Sequence, residues 1–310
     1  MKQPKLELLS PAGSWEALEA AVRSGADAVY LGGSLFSARA NAQNFDHDTL
    51  KQAVAYCHAR GVKVHLAVNT ILLNHELEQA LDFVAFACSL PVDAVIVQDT
   101  GLLHLVRQAA PTLQTHASTQ MSVHTPEGAK LLAEQGISRV VLARELSLRE
   151  IKEISRALKD GGFAHVEIEH FVHGALCMSV SGQCYFSSLL GSRSGNRGQC
   201  AQTCRLPFSA KGGTGYDLSL KDLSMIERIG ELADAGVTSF KIEGRMKRPE
   251  YVAAATAACR FALDQQAIPQ SLTENLKAVF SRSGFTTGYP DGTLGRDMFG
   301  IRTKEDVTSA

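Results

Sequence analysis

The stretch "AVRSGADAVYLGG", Ala21–Gly33, closes an amphipathic pattern, turns at a glycine and enters a short apolar run. The same unit returns as "LPVDAVIV" (Leu90–Val97), "QGISRVVL" (Gln135–Leu142) and "AGVTSFKI" (Ala235–Ile242). A glycine or proline ends each helix. The run that follows is too short for a helix and apolar without strict alternation, as a strand buried on both faces requires. Working outward, eight such runs appear: Leu6–Pro11, Ala28–Gly33, Val62–Asn69, Asp93–Asp99, Gln114–Gln120, Arg139–Arg144, His165–Phe171 and Ser239–Gly244. Helical patterns fill the gaps, among them "SWEALEAAVRSG" with its Ser14 cap and "SLREIKEISRALKDGG" with a Ser147–Glu150 capping box. Eight strands interleaved with helices predict an α/β fold, a (β/α)8 TIM-type barrel. No G-x-G-x-x-G follows the first strand, so an open dinucleotide-binding sheet loses its main support.

One connection breaks the rhythm. About 173–221, between the seventh strand and a helix near Ser224, lies a segment far longer than the usual 2–6-residue link. It leaves the C-terminal end of a barrel strand, the face where barrel enzymes keep their active sites. The barrel is expected to span 1–268 with this insertion inside it. Residues 269–310 read as a helix and tail, an appendage on the barrel or the opening of a further domain.

The chain of 310 residues is 45% hydrophobic with a formal charge of -1. No global field pulls it to nucleic acid or membrane. The start lacks the apolar core of a signal peptide, and no run approaches the ~18 apolar residues of a membrane span. A cytoplasmic protein with no membrane partner is the expectation. Reduced thiols follow from it. Cys57, Cys88 and Cys259 lie in helical patterns and read as ordinary packing residues. The other four fall in the insertion with spacing C-x6-C-x15-C-x3-C: Cys177, Cys184, Cys200 and Cys204. Only the last pair has the spacing of a structural zinc site, and ferredoxin spacing does not fit. Scattered thiolates still suit iron–sulfur, zinc or copper(I). A redox disulfide, or a nucleophile activated by His173, are the other readings.

Local charge is informative. From His170 to Tyr216 there is no Asp or Glu, but Arg193, Arg197, Arg205 and Lys211 are present, interleaved with Phe171, Tyr185, Phe186, Phe208 and Tyr216. Such a stretch can hold an anionic cluster or grip RNA phosphates and stack bases. The strand ends converge on a polar mouth: Asn69, Gln98, His116, Gln120, Arg144, Glu145, Glu169, Lys241, Glu243 and Arg245, with Arg39 after the second strand. Several arginines there suit a carboxylate- or phosphate-bearing ligand. Peptidase machinery is thin. "HELEQ", His75–Gln79, lacks the second histidine of H-E-x-x-H, and "GSRSG", Gly191–Gly195, puts Arg193 where a nucleophilic serine would stand.

"EHFVHGALCMSVSGQC", "GSRSGNRGQCAQTCRLPF", "LSLKDLSMI" and "FKIEGRMKRPEYV", with "LLSPAGSWEALEAAVRSGADAVYLGG" and "HASTQMSVH", resemble the collagenase-like peptidase family U32. The resemblance runs from about Leu6 to Leu263. It implies two functional traditions. One is a peptidase of unknown catalytic type. The other is oxygen-independent RNA hydroxylation with a [4Fe-4S] cluster on the four cysteines, acting on a ribosomal RNA cytidine or a tRNA uridine. The similarity is greatest to the ribosomal cytidine type. Prephenate is then the implied carboxylate co-substrate, and an electron-transfer or accessory protein is an expected partner. On this reading Glu169, His173 and Glu243 move protons, while Arg144, Arg245 and Arg39 hold the carboxylate. Asn69, Gln98, His116, Gln120, Lys241, Arg193 and Arg197 contact substrate. Zinc at the same cysteines, and a non-catalytic iron–sulfur partner protein, are the alternatives.

Overall fold

A computed structural model describes residues 6–213, 215–279 and 281–301. Eight parallel strands close into a barrel: β1 (Glu7–Pro11), β2 (Ala28–Gly32), β3 (Lys63–Val68), β4 (Ala94–Val97), β5 (Thr115–Ala117), β6 (Arg139–Val141), β7 (Glu167–Ala175) and, eighth around the barrel, β9 (Ser239–Ile242). The three-residue β8 (Asp222–Ser224) and two-residue β10 (Phe285–Thr286) lie outside it. Closure is explicit in the register: β9 pairs with β1 through Glu7↔Ser239 and with β7 through Glu169↔Ser239. β8 runs antiparallel on the end of β7, and β10 pairs with β8.

The helices are α1 (Trp15–Arg23), α2 (His47–His58), α3 (Leu77–Ser89), α4 (Thr100–Ala109), α5 (Pro126–Glu134), α6 (Leu148–Asp160), α7 (Phe186–Gly191), α8 (Ile229–Asp234), α9 (Pro249–Leu263), α10 (Gln270–Val279) and α11 (Gly288–Asp291). Their starts are locally encoded. Ser14 accepts from Ala17 N, Asp46 from Thr49 N and Asp99 from Leu102 N, while Ser147 and Glu150 form the capping box. Gly25 and Gly136 take φ of 95° and 83°, which lets the chain turn straight from helix into strand. Apolar side chains between strands and helices form one continuous core, from Leu8 and Leu18 through Val140 and Ile151 to Phe240 and Val252.

Several boundaries differ from the sequence reading: the fifth and sixth runs, expected to reach Gln120 and Arg144, end as strands at Ala117 and Val141, and β8 stands where a helix near Ser224 was expected. The seventh strand runs on to Ala175, so His173 is a strand residue and the insertion begins after it. The insertion holds only short turns and α7 before β8. The C-terminal segment buttresses it. Leu220 bridges to Phe299, Lys221 N donates to Met298 O, and Ser219 Oγ donates to Gly300 O at 2.7 Å. Of the two segments expected at 1–268 and 269–310, residues 1–5 and 302–310 lie outside the described residues. Among the described residues, no helix is long and apolar enough to cross a membrane.

Candidate functional site

Two charged layers fill the barrel along its axis. The lower one is centred on Arg139 of β6, whose side chain is 3% exposed. Its guanidinium reaches Glu7 at 2.5 Å, Glu167 at 2.5 Å and Glu169 at 3.1 Å, and donates to Ser239 Oγ at 3.1 Å. Lys241 Nζ lies 2.7 Å from Glu169, and Lys63 3.5 Å from Glu7. Three cations thus meet three carboxylates, and the layer is neutral. Burial alone would raise the Glu169 carboxyl, but Lys241 and Arg139 outweigh it and hold it down. His65 and His116 sit in the same layer, their rings edge to face at 4.8 Å. Burial pulls His65 down to about 4 and His116 well below its ordinary value, so both are neutral. With Glu169 they form the one group of potential metal donors among the described residues whose ligand atoms lie within 4.8 Å of one another. Arg139 and Lys241 already occupy both oxygens of that carboxylate, so a further cation there would be repelled.

The upper layer is not neutral. Glu243, just past β9, pairs with Arg144 at 2.6 Å and Arg39 at 3.2 Å. Burial would raise its carboxyl, but the two arginines prevail and hold it down to about 2. Arg245 is 5% exposed, donates to Ser37 Oγ at 2.7 Å and makes no ion pair among the described residues. Burial, with Arg39 beside it, pulls its pKa down to about 10. Three guanidinium groups therefore face one carboxylate. Aromatic faces support the cations: Arg144 lies 4.0 Å over Phe171, and Lys241 4.2 Å over Tyr30. Gly32 seats Arg245, because a Cβ at that position would come 2.6 Å from Arg245 Nη1 and 2.5 Å from Ser37 Oγ.

Above this layer opens a cavity of about 490 Å³. Arg39, Arg144, Lys241, Glu243 and Arg245 line its floor, Tyr30 and Phe171 its walls, and Asn69 and Gln120 one side. Asn69 Nδ2 donates to Gln120 Oε1 at 3.1 Å, and its Oδ1 accepts from Ala38 N. The roof is the insertion. Cys177, Cys184, Cys200 and Cys204 all line the same cavity. Burial pushes the Cys204 thiol up, Arg205 opposes this, and Cys177, Cys200 and Cys184 add to the rise, so the four thiols share one electrostatic neighbourhood. Arg39 feels Cys200 as well. Backbone amides already point at sulfur: Phe186 N donates to Cys184 Sγ at 3.4 Å, and Gln202 N to Cys200 Sγ at 3.3 Å.

All four thiols are free, and no three of them gather within 4.8 Å. A tetrahedral zinc with bonds of about 2.3 Å needs sulfurs ~3.8 Å apart. Amides aimed at two of the sulfurs and cations below suit thiolate ligation, by an iron–sulfur centre or by zinc.

The insertion is clamped rather than loose. Ser181 holds a left-handed φ of 42° because Glu145 binds its amide and its hydroxyl, each at 2.8 Å. Arg205 donates to Leu176 O and Leu220 O, both at 2.6 Å. Arg197 pairs with Glu76 at 2.5 Å and donates to Ile71 O at 2.7 Å.

Several of the expected site residues lie away from the cavity. His173 does not reach the cavity. A register shift between Phe171 and His173 interrupts strand alternation and turns the ring outward, against Tyr251 and Phe285 at 5.9 and 5.2 Å. Burial pulls it down to about 3, with neither ring nitrogen bonded. Glu169 and His116 lie below the cavity floor, in the neutral layer. Gln98 also sits behind the lining, its amide 3.5 Å from Gln120 O. Arg197 is a brace, and Arg193 is exposed away from the cavity. Glu243, Arg144, Arg245, Arg39, Asn69, Gln120 and Lys241 do come together with the four cysteines. The sequence reading missed Tyr30, Ser37 and the Glu145–Ser181 clamp, whereas Phe171, read as a stacking aromatic, does line the cavity. Tyr30 was legible as a large aromatic in an otherwise small apolar strand.

A closed eight-stranded parallel barrel with its cavity at the C-terminal mouth places the chain in the TIM-barrel class. The solved structure of the U32 peptidase Mk0906 superimposes with a TM-score of 0.53 at 16% identity, covering 79% of this chain and 95% of that one. The profile of Peptidase family U32 matches residues 13–298, and the chain belongs to that family. Its relatives carry different names. The 23S rRNA 5-hydroxycytidine C2501 synthase of Escherichia coli is 45% identical over 267 residues, 84% of this chain and 39% of that protein. The tRNA hydroxylation protein P1 of Bacillus subtilis is 33% identical over 323 residues, covering 97% of this chain and 75% of the relative. A protein of Porphyromonas gingivalis named collagenase is 36% identical, covering 91% and 73%. The chain therefore spans well under half the length of the E. coli relative.

Proposed function

We infer that this chain is an enzyme that hydroxylates a pyrimidine base in RNA, a ribosomal cytidine first among candidates, without dioxygen. A [4Fe-4S] cluster on Cys177, Cys184, Cys200 and Cys204 is part of this reading. The observation that carries it is the shared cavity: four thiols form its roof, and three guanidinium groups with one carboxylate form its floor. RNA-hydroxylating names among the relatives support the substrate class. The cluster, when bound, supplies one-electron chemistry. The protein side chains do the rest. Arg245, unpaired among the described residues, and Arg144 offer a site for a small carboxylate co-substrate, for which prephenate is the proposed compound. Tyr30 and Phe171 back the cations of the floor and leave the cavity open to a flipped base or a ring-bearing co-substrate. Glu243, held ionised by Arg39 and Arg144, orients those arginines and is a poor proton acceptor. An electron-transfer or accessory protein completes the scheme.

A peptidase finds less support. Among the described residues no histidine lines the cavity, so no Ser–His or Cys–His pair stands there. The "HELEQ" stretch begins in a short turn at Asn74–Glu76, where Glu76 is engaged by Arg197. Nucleoside mass spectrometry of RNA from a strain lacking the gene tests the reading. Loss of one hydroxylated pyrimidine, restored by the intact gene, is expected. Unchanged RNA, with cleavage of gelatin by the pure protein, would contradict it.

A further inference from the structure

The insertion has two faces, and only the inner one is used by the cavity. On that side Phe186 packs against Phe208 at 5.2 Å, Ser187 Oγ accepts from Ala201 N at 3.1 Å, and both Phe186 and Ser187 line the cavity beside Cys184. The outer side is apolar and bare. Tyr185 is 73% exposed, Leu189 81% and Leu190 54%. Six of the twelve large hydrophobic side chains exposed among the described residues fall in this one insertion: Met178, Val180, Tyr185, Leu189, Leu190 and Leu206. Scattered exposed apolar residues need no explanation, but a concentration at the rim of a binding cavity marks a contact surface.

Charge identifies the kind of partner. The insertion contains no carboxylate side chain from His170 to Tyr216. Two of its arginines are spent on structure, Arg197 on Glu76 and Arg205 on backbone carbonyls. Arg193, directly after α7, is exposed and bonds through its side chain to none of the described residues. An exposed aromatic ring one residue from a cavity-lining cysteine, followed by an unengaged guanidinium, has the composition of a single-strand platform. Every base has a π-face to stack, and the backbone supplies phosphate.

The geometry points to the outer face of Tyr185–Arg193 as the landing site for single-stranded RNA, with Tyr185 stacking on a base that flanks the one entering the cavity and Arg193 meeting a phosphate. This assignment rests on the RNA reading above. It is tested by fluorescence anisotropy with a labelled single-stranded RNA oligonucleotide and anaerobically prepared protein, comparing Tyr185→Ala, Tyr185→Leu, Tyr185→Trp and Arg193→Ala. Because these side chains stand in water, all four variants should melt with the wild type. Tyr185→Ala and Tyr185→Leu should weaken binding about tenfold, while Tyr185→Trp retains it. Arg193→Ala should weaken it several-fold and flatten the salt dependence by about one phosphate contact. Wild-type affinity for Tyr185→Leu would mean a merely apolar contact, as with a protein partner, and overturns the stacking assignment. If Tyr185→Ala binds and modifies RNA like the wild type, the platform fails while the RNA reading stands. If the wild type itself neither binds nor modifies RNA, both fail.

Discussion

The two charged layers of the barrel differ in one respect. Below, Arg139, Lys241 and Lys63 meet Glu7, Glu167 and Glu169, and every charge has a partner. Above, Arg39, Arg144 and Arg245 share Glu243 alone. Desolvating a charge is costly, and a balanced cluster offsets that cost internally. The lower layer is therefore a plug that holds strands together. The upper layer keeps an excess of two positive charges that no carboxylate among the described residues pairs, and we assign that excess to a ligand. Residues that look equivalent as polar strand ends thus divide into structural and binding groups by their pairing.

Removing a cation from each layer is the strongest way to break this contrast. Arg139→Met leaves Glu7 buried without its main partner and Glu169 with Lys241 alone, and a loss of about 3–5 kcal/mol is expected in urea unfolding. A loss under about 1 kcal/mol would show that the plug is not structural. Arg245→Met should leave unfolding nearly unchanged, since Arg245 makes no ion pair among the described residues, Glu243 keeps Arg39 and Arg144, and the removal relieves repulsion from Arg39. Its effect should appear instead as an about tenfold weaker affinity for a small dicarboxylate, measured by calorimetry, or ~1.4 kcal/mol.

His173 offers a third test, smaller in size. Its folded pKa of about 3 lies below its ordinary value, so the unfolded chain takes up a proton first as pH falls. Its contribution to stability is full above about pH 6.5 and is lost towards pH 3. His65 and His170, each near 4, act in the same direction. His173→Phe should lower the urea midpoint less than the wild type does between pH 7 and 5, with RNA modification unchanged. Loss of activity at pH 7 in a stable variant would return His173 to the catalytic set. The smallest effect is expected for Gly32→Ala, which crowds Arg245 and Ser37 and should weaken carboxylate binding about threefold without unfolding the barrel.

The barrel was legible because its signal is repeated. Helix end, glycine turn and apolar run recur, and Ser14, Asp46 and Ser147 mark where helices begin. β8 and β10 were not legible, since two or three residues carry no periodicity and their pairing is decided by the fold of the insertion. The cysteines could be grouped from sequence because they crowd into one acid-free segment. Their sharing of a cavity with Arg39 and Arg245 could not, since the segments involved lie up to about 200 residues apart. His173 shows the limit most clearly. Four residues before Cys177, it looks like the partner of a thiolate, but one bulge at the end of β7 sends its ring to the other side of the sheet. Glu169 was read as a strand-end carboxylate at the mouth, but it is the third residue of a nine-residue strand, and its contacts with Lys241 and Arg139 place it in the plug.

The central claim is that the four cysteines over the cationic mouth hold an iron–sulfur cluster. Iron, sulfide and zinc analysis of anaerobically purified protein, with the visible spectrum, tests it most directly. About four iron and four sulfide per chain, with broad absorption near ~400 nm that is lost when Cys177 and Cys200 are both changed to Ser, is the predicted result. A colourless protein with one tightly bound zinc and no sulfide would contradict it.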